Sequence, residues 1–357
     1  MYYGAIDLHS NNSVLGIIDE RGQRIWSRKL PNQLDVIKAA VDGFTAELKG
    51  IVVESTYNWY WLVDGLRDAG YRVHLANTAA MEPYSGLKHT DDESDTWWLA
   101  ELLRLGLLKE GYVYPQEQRA VRDLLRKRAH LVQQRTRNIL SVQNLTNRNL
   151  GVRLSAREAK RLTAEGVMET YDNEDLALAI TSTLEIMDVL DKQIRIIEQR
   201  VKNKVKLSEP YQLLQSVSGI GEILAMAIML EAGDIGRFPS VGDFASYCRC
   251  VKSQRLSNKK KKGVGNRKNG NAWLRWAFIE AANFAIRYEP VIQRYYRRKE
   301  GRSNAVVARS AVAHKLARAS YYVLRDRVPF DVNKCFGHQG CGGGSKPVEA
   351  AGSQPAT

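Results

Sequence analysis

Residues 2–75 alternate short apolar runs with polar turns, and this pattern predicts a mixed α/β sheet. YYGAIDL, NSVLGIID and QRIWSRKL are three β-rich runs joined by short turns, as in an antiparallel meander. A helical pattern at about 34–48 is followed by IVVE at 51–54, a continuous apolar run typical of a buried parallel strand. A helix at about 59–69 and a strand at 71–75 complete the α/β pattern.

Carboxylates lie at the ends of these predicted elements. Asp7 ends the first strand, Glu54 ends the fourth, and Asp92 and Asp95 begin the helix after the fifth. Helical residues three apart share a face, and an RNase H-like sheet has its first and fourth strands side by side. Four converging carboxylates would bind two Mg²⁺ ions and support phosphoryl displacement. The alternative is a set of unrelated turn and helix-start acids, and Asp91 also competes with Asp92 as the third carboxylate.

The charge of +14 is unevenly distributed along the 357 residues. Residues 1–113 hold 16 acids and 11 bases, whereas the remainder holds 23 acids and 42 bases. A basic portion of this size indicates a polyanionic partner, most simply nucleic acid.

The basic residues are densest between positions 249 and 275, where ten lysines or arginines occur without an acid. We expect this stretch to contact phosphates, although such runs are also found in solvated loops. It contains Ser253 and Ser257, whose hydroxyls are candidate nucleophiles if a metal or a base activates them. The cationic residues are Arg249, Lys252, Arg255, Lys259, Lys260, Lys261, Lys262, Arg267, Lys268 and Arg275.

Two long helical patterns lie between these regions. Residues 116–148 contain neither Pro nor Gly, and apolar residues recur there every seven positions. Residues 175–204 repeat that spacing. Heptads of this kind predict an antiparallel hairpin or coiled coil that acts as a dimerisation arm.

A Gly219-Ile220-Gly221 turn follows, between two short apolar helices. Bare glycine backbone can approach a DNA phosphate, as in a helix-hairpin-helix element. Tight packing of the two helices is the alternative reason for the glycines.

Several classes of protein are disfavoured by the sequence. No apolar run is long enough for a membrane span, and the N-terminus lacks the pattern of a signal peptide, so we expect a cytoplasmic, nucleoid-associated protein. Four cysteines do not form a disulfide framework. Reduced thiols are preferred to a zinc site built from Cys248, Cys250, Cys335, His338 and Cys341.

These patterns divide the chain into four predicted parts. The first is an α/β RNase H-like (RuvC-like) carboxylate domain at 1–113. A helical arm at 114–206 precedes a mainly α, basic domain at 207–335 with a helix-hairpin-helix-like element. A disordered tail is predicted at 336–357.

Taken together, several motifs resemble those of a known family. They are AIDLHS, VVES, KHTDDESDTWWLAELL, LLQSVSGIGEILAMAIMLEAGDIGRFPSVGDFASY and SNKKKKGVGNRKNGNAWLRWAFIEAA. The chain resembles, over about residues 1–330, the DEDD transposases of the IS-one-ten insertion-sequence family. These recombinases have a RuvC-like domain, a coiled-coil arm and a C-terminal transposase domain, and a bridge RNA guides them.

The resemblance implies roles for individual residues. The four metal-binding carboxylates would be Asp7, Glu54, Asp92 and Asp95. The match at 268–271 makes Ser257 the nucleophile, with Ser253 as the alternative. The implied partners are donor and target DNA, a bridge RNA, and other copies of the chain in a dimer or a dimer of dimers.

Other functions remain open on the residues alone. A structure-selective nuclease needs the same carboxylates but no serine. A non-catalytic RNA-binding scaffold explains the basic half but not the acids. An actin-like ATPase requires a second phosphate loop that the sequence lacks, and the His/Arg spacing before Tyr321 does not fit a tyrosine recombinase.

Overall fold

A computed structural model describes residues 1–81, 92–251, 255–257, 260–263 and 269–337. For Asp92 and for residues 255–257 and 260–263, only the backbone is described. The predicted tail falls largely outside the described residues.

The N-terminal region contains a five-stranded mixed sheet, as predicted. Its strand order is β3-β2-β1-β4-β5. The first three strands are antiparallel, while β4 pairs in parallel with both β1 and β5. A mixed α/β start followed by a mostly helical chain is consistent with an RNase H-like domain. The strands are β1 (Tyr2–Leu8), β2 (Asn12–Asp19), β3 (Arg24–Pro31), β4 (Leu48–Glu54) and β5 (Val73–Ala76).

Helices cover both faces of this sheet because the buried strands carry apolar residues on both sides. Ile6, Ile51 and Val53 belong to one core, against which α1 (Leu34–Asp42) and α2 (Tyr60–Asp68) lie. Alternate residues such as Ala5 and Val52 belong to a second core with α3 (Asp92–Arg104). The first helix ends at Asp42, short of the predicted position near 48, because the chain enters a short 3₁₀ turn at Thr45–Glu47.

Two long helices form an antiparallel pair. They are α4 (Gln116–Leu150) and α7 (Glu174–Val205). Arg128 Nη2 lies 2.6 Å from Glu198 Oε1, and one heptad further along α4, Arg135 pairs with Asp191, one heptad back along α7. The arginines that interrupt the heptad seam are therefore paired with acids on the opposite helix. The antiparallel prediction is confirmed, while supercoiling and dimerisation stay predictions.

The far end of this pair has its own small core. Ile139 and Val142 of α4 pack with Ile180 of α7 and with Val167. Two short helices, α5 (Ala156–Ala159) and α6 (Ala164–Thr170), lie between the long ones in the chain, and Val167 belongs to α6. We call α4 to α7 the arm.

The remaining described chain contains a two-stranded hairpin and the helices of a second core. The hairpin strands are β6 (Arg255–Ser257) and β7 (Lys260–Gly263). The helices are α8 (Glu209–Gln215), α9 (Glu222–Ala232), α10 (Val241–Tyr247), α11 (Ala272–Tyr288), α12 (Pro290–Glu300), α13 (Ala305–Asp326) and α14 (Val332–Phe336). Their buried faces form one apolar core that also takes in Leu125 and Val201 of the arm.

The chain divides into two compact units. One contains Met1–Gln116 and the hairpin β6–β7, and the other begins at Glu117 and contains the arm and the helices α8 to α14. None of the helices in the described part of the chain combines the length and apolar character needed to span a bilayer.

Candidate active site

Asp7 and Glu54 lie at matching positions on neighbouring parallel strands. Ile6 of β1 is in register with Val53 of β4, so the next residue on each strand is one of the two acids. Residues at the same level of adjacent parallel strands project to the same face. The sheet therefore brings these two predicted carboxylates together at the carboxyl edge of β1 and β4.

That shared face is the one covered by α3. Successive strand residues alternate between faces, so Asp7 shares a face with Ala5, and Glu54 shares one with Val52. Both apolar residues pack in the α3 core. Asp7 is only 3% exposed, whereas Glu54 is partly exposed. A nearly buried carboxylate at the end of a core strand provides the oxygen ligand that a hard divalent cation such as Mg²⁺ prefers.

The start of α3 lies at this end of the sheet. The Thr96 hydroxyl is 3.5 Å from the carbonyl oxygen of Val14, which is the residue of β2 in register with Asp7. Thr96 is fully buried. Gly16 permits this close approach, since a Cβ there would meet the Thr96 methyl group at 2.8 Å and the Trp97 ring at 2.9 Å.

The third and fourth predicted carboxylates belong to this part of α3. Asp92 begins the helix, one turn before Thr96, and the exposed Asp95 directly precedes Thr96. Asp91 and the side chain of Asp92 lie outside the described atoms. Among the described side chains, no group of three or more His, Cys, Asp or Glu residues is close enough to hold a metal ion.

His9 is a site residue that the sequence reasoning missed. Its Nε2 lies 3.2 Å from Asp7 Oδ2. The spacing of two along an extended chain could have indicated this contact, because residues i and i+2 of a strand share a face. A protonated imidazole at this distance attracts the carboxylate electrostatically and restricts its orientation.

The turn that carries His9 is held by two asparagines from other parts of the chain. The His9 carbonyl oxygen accepts from Asn32 Nδ2 at 2.9 Å and from Asn58 Nδ2 at 3.1 Å. Asn32 in turn accepts from the Ser13 hydroxyl at 2.6 Å. This network joins the ends of β1, β3 and β4, so it stabilises the edge of the sheet where the acids lie.

The basic stretch contains a short antiparallel hairpin, which the sequence reasoning did not predict. Ser257, the last residue of β6, is in register with Lys260, the first of β7. Arg255 and Lys260 to Lys262 are on these strands. The candidate residues Lys252, Ser253, Lys259, Arg267 and Lys268 lie outside the described residues.

A partly buried polar junction lies at the start of α11 in the helical core. The Asn271 amide nitrogen donates to the Tyr247 carbonyl at 2.6 Å, and Asn271 Oδ1 accepts from the amides of Trp273 and Leu274 at the start of α11. Asn271 Nδ2 donates to Glu231 Oε2 at 2.8 Å. The candidate cations Arg249 and Arg275 flank this region and line a common surface depression.

The predicted Gly-Ile-Gly turn joins α8 and α9, but its two glycines differ in surroundings. Gly219 has φ +86°, and a Cβ there would overlap the Ala281 carbonyl oxygen of α11. Close helix packing therefore explains Gly219. Gly221 has open space around it and lines a depression with Phe284. A phosphate contact at this turn stays a prediction.

The described cysteines are free thiols in apolar surroundings. Burial raises the pKa of Cys250 to about 12, and it raises the pKa of Cys248 and of Cys335. Zinc binds the thiolate form, which this environment disfavours. Cys341 and His338 lie outside the described residues.

Comparison with known proteins identifies the class. A family model for the DEDD domain of the IS110 type, described as "Transposase", matches residues 5–148. A second model, "Transposase IS116/IS110/IS902 family", matches residues 211–297. The first match contains the sheet and α3, and the second contains the Gly-Ile-Gly turn, the hairpin and α11.

Two curated relatives agree with these matches. The chain is 26% identical to "Transposase for insertion sequence element IS1111A" of Coxiella burnetii, over 76% of this chain and 74% of that protein. It is 27% identical to "Probable family 20 transposase" of Pseudomonas aeruginosa, over 64% of this chain and 68% of that protein.

The chain is thus an enzyme of the DNA transposase class, with DNA as its partner. It belongs to the IS110 family of DEDD transposases, as its motifs indicated. A DEDD domain implies a general dependence on divalent metal ions.

Proposed function

We propose that this transposase cuts and rejoins DNA through a serine nucleophile, with Asp7, Glu54, Asp92 and Asp95 as metal-binding carboxylates. The observation that carries the proposal is the shared register of Asp7 and Glu54 on the sheet face covered by α3. A second observation is that the β6–β7 hairpin, whose first strand ends at Ser257, belongs to the same compact unit as that sheet.

In the proposed reaction, Ser257 Oγ forms a bond to the phosphorus of a DNA phosphodiester while the bond to the leaving oxygen breaks. The hydroxyl proton is transferred to the leaving strand, which departs as a free DNA hydroxyl. Attack by a second DNA hydroxyl on the phosphoserine then restores the serine and joins the strands. Two bound Mg²⁺ ions would stabilise charge on the phosphate oxygens.

Nearby groups support these roles. His9 lies beside the Asp7 carboxylate and can hold it in one orientation. The lysines of β7 adjoin Ser257 along the hairpin, and their charge favours an approaching phosphate. We further propose that a bridge RNA selects the DNA by base pairing, while the protein contacts mainly backbone.

The active form is proposed to be a dimer or a dimer of dimers associated through the arm. An exposed stripe on α7 supports this. Leu178, Ile186, Val189 and Ile196 are 64%, 54%, 60% and 52% exposed, and at 100° per residue they fall within a sector of about 80°. Large apolar side chains exposed together on one side of a helix are typical of an interaction site.

A DNA-strand cleavage assay tests the chemistry. It contains the purified protein, Mg²⁺ and an RNA transcribed from the DNA that flanks its gene. Ser257→Ala should abolish both cleavage and the covalent protein–DNA species seen on a denaturing gel. Asp7→Asn should abolish cleavage without unfolding the protein, while Asp35→Asn, an exposed acid of α1, should leave it unchanged. Undiminished cleavage by Ser257→Ala would instead identify a metal-dependent nuclease.

A mixing experiment tests whether subunits share a site. Ser257→Ala and Asp7→Asn proteins are each inactive in the proposed mechanism. Activity regained on mixing them would mean that serine and carboxylates from different chains combine. Absence of any recovery, with both variants shown to associate, would assign the complete site to one chain.

A further inference from the structure

The second compact unit has a basic groove on the side formed by α12, α13 and α14. Its floor is rigid, because Lys315 donates to the Cys335 carbonyl at 2.6 Å and lies 5.0 and 5.1 Å from the ring centroids of Tyr295 and Phe336. These two rings also pack edge to face at 5.3 Å. Lys315 is thus a structural cation that joins the three helices.

Three other cations line the groove and point toward solvent. Lys299 of α12, Arg318 of α13 and Lys334 of α14 are all exposed. Within the described part of the chain, none of the three forms an ion pair with an acid. They come from three different helices, so their clustering is a product of the fold.

The acids of the groove are already engaged. Asp326 accepts from Arg325 through both oxygens, at 2.6 and 2.9 Å. Asp331 Oδ1 accepts from the backbone amides of Asn333 and Lys334 at the start of α14. Five basic side chains and two carboxylates line the groove, so it keeps a net positive charge.

The groove continues into a second depression on the same compact unit. Lys299, Ala311 and His314 line both this depression and the adjoining one that contains Arg249 and Arg275. A nucleic-acid strand lying along both depressions would pass Arg249 and Arg275 as well as the three cations.

We propose that this groove binds the phosphodiester backbone of a nucleic acid that the enzyme processes. That this nucleic acid is one the enzyme processes rests on the proposed function, while the binding chemistry rests on the three cations. Lysine and arginine on a polar surface neutralise phosphates and release counterions. Such contacts position a nucleic acid without reading its sequence.

Salt-dependent binding tests the proposal, using a triple Lys299→Ala, Arg318→Ala, Lys334→Ala variant. The control is a triple Arg157→Ala, Lys160→Ala, Arg161→Ala variant, which removes the same charge from exposed positions in and beside α5. Both are made in a Ser257→Ala background, so that binding is measured without cleavage. The probes are a duplex DNA and an RNA from the flanking region.

The slope of log K against log salt should fall by about 2–3 in the groove variant, since each lost phosphate contact contributes about 0.7–0.9. Affinity at about 0.1 M salt should fall at least tenfold, with the control unchanged. A change confined to one probe identifies DNA or RNA as the ligand, and a change in both supports shared backbone binding. Unaltered slopes and affinities for both probes would overturn the proposal.

Failure of the groove and failure of the proposed chemistry are distinguishable. The binding measurement does not require a serine nucleophile. Cleavage that survives Ser257→Ala would disprove the chemistry and leave the binding result unaffected.

Discussion

Arg126 of α4 and Glu231 of α9 form a bidentate ion pair with Nε–Oε1 and Nη2–Oε2 distances of 2.6 and 2.7 Å. Glu231 is 3% exposed, and its second oxygen also accepts from Asn271. One buried carboxylate therefore joins the arm, the helical core and the start of α11.

Replacing Arg126 with Met should destabilise the protein strongly, because it leaves the Glu231 charge buried without its cation. Removing one partner of a buried ion pair lowers the free energy of unfolding by about 3–5 kcal/mol. We expect a loss at the lower end of this range, because the Arg126 side chain is 32% exposed. Urea unfolding measures the change. Lys202→Met, which removes an exposed pair with Glu222, should barely shift the midpoint. Equal effects of the two substitutions would contradict this account.

Gly16→Ala should impair the enzyme by displacing α3 from the sheet. The new methyl group would meet Thr96 and Trp97 at under 3 Å, and overpacking of this kind costs about 1–3 kcal/mol. Cleavage should fall further than stability alone explains, because Asp92 and Asp95 move with the helix. The matched control is Gly43→Ala, where a Cβ meets nothing within 4 Å. A fully active Gly16→Ala protein would argue against the proposed carboxylate arrangement.

Val189→Asp should weaken self-association of the arm. The charge would be placed in the centre of the exposed apolar stripe of α7, where contact with a second copy would bury it without a partner. Light scattering after gel filtration should show a shift toward monomer. Asp188→Lys changes the charge on a neighbouring exposed face and should leave the assembly intact. The proposed interface is wrong if both variants assemble as the parent does.

His314 should make stability depend on pH in a defined direction. Burial, followed by the charges of Arg318 and Lys315, lowers its pKa below the usual 6.5. The unfolded chain therefore binds the proton more readily, so the stabilising contribution is complete above about pH 6.5 and is lost as the pH falls below it.

Unfolding free energies at pH 7.5 and 5.5 check this expectation. His314→Gln should reduce the loss of stability on acidification. Arg318→Met should also reduce it, because one of the charges that lower the His314 pKa is gone. Lys299, Arg249 and Arg275 line the same region and remain in both variants. An unchanged pH dependence in His314→Gln would rule out this histidine as a source.

The amino-acid sequence by itself determined the secondary structure and the family. The local signals are the short apolar runs between polar turns in β1 to β3, the apolar run of β4 and the uninterrupted helical patterns of α4 and α7. Local backbone preference was enough to predict these strands and helices. The end of α1 at Asp42 and the hairpin at Ser257 were missed, because short turns are decided by a few backbone contacts.

Tertiary structure decided which distant residues meet. Pairing of β1 with β4 set Asp7 beside Glu54, and the tight approach of α3 to Gly16 set the distance of the helix from the sheet. The contact of His9 with Asp7, the Arg126–Glu231 pair and the cation groove of α12 to α14 join side chains from separate elements. Their closeness follows from packing and strand register, which bring together residues that no short sequence window contains.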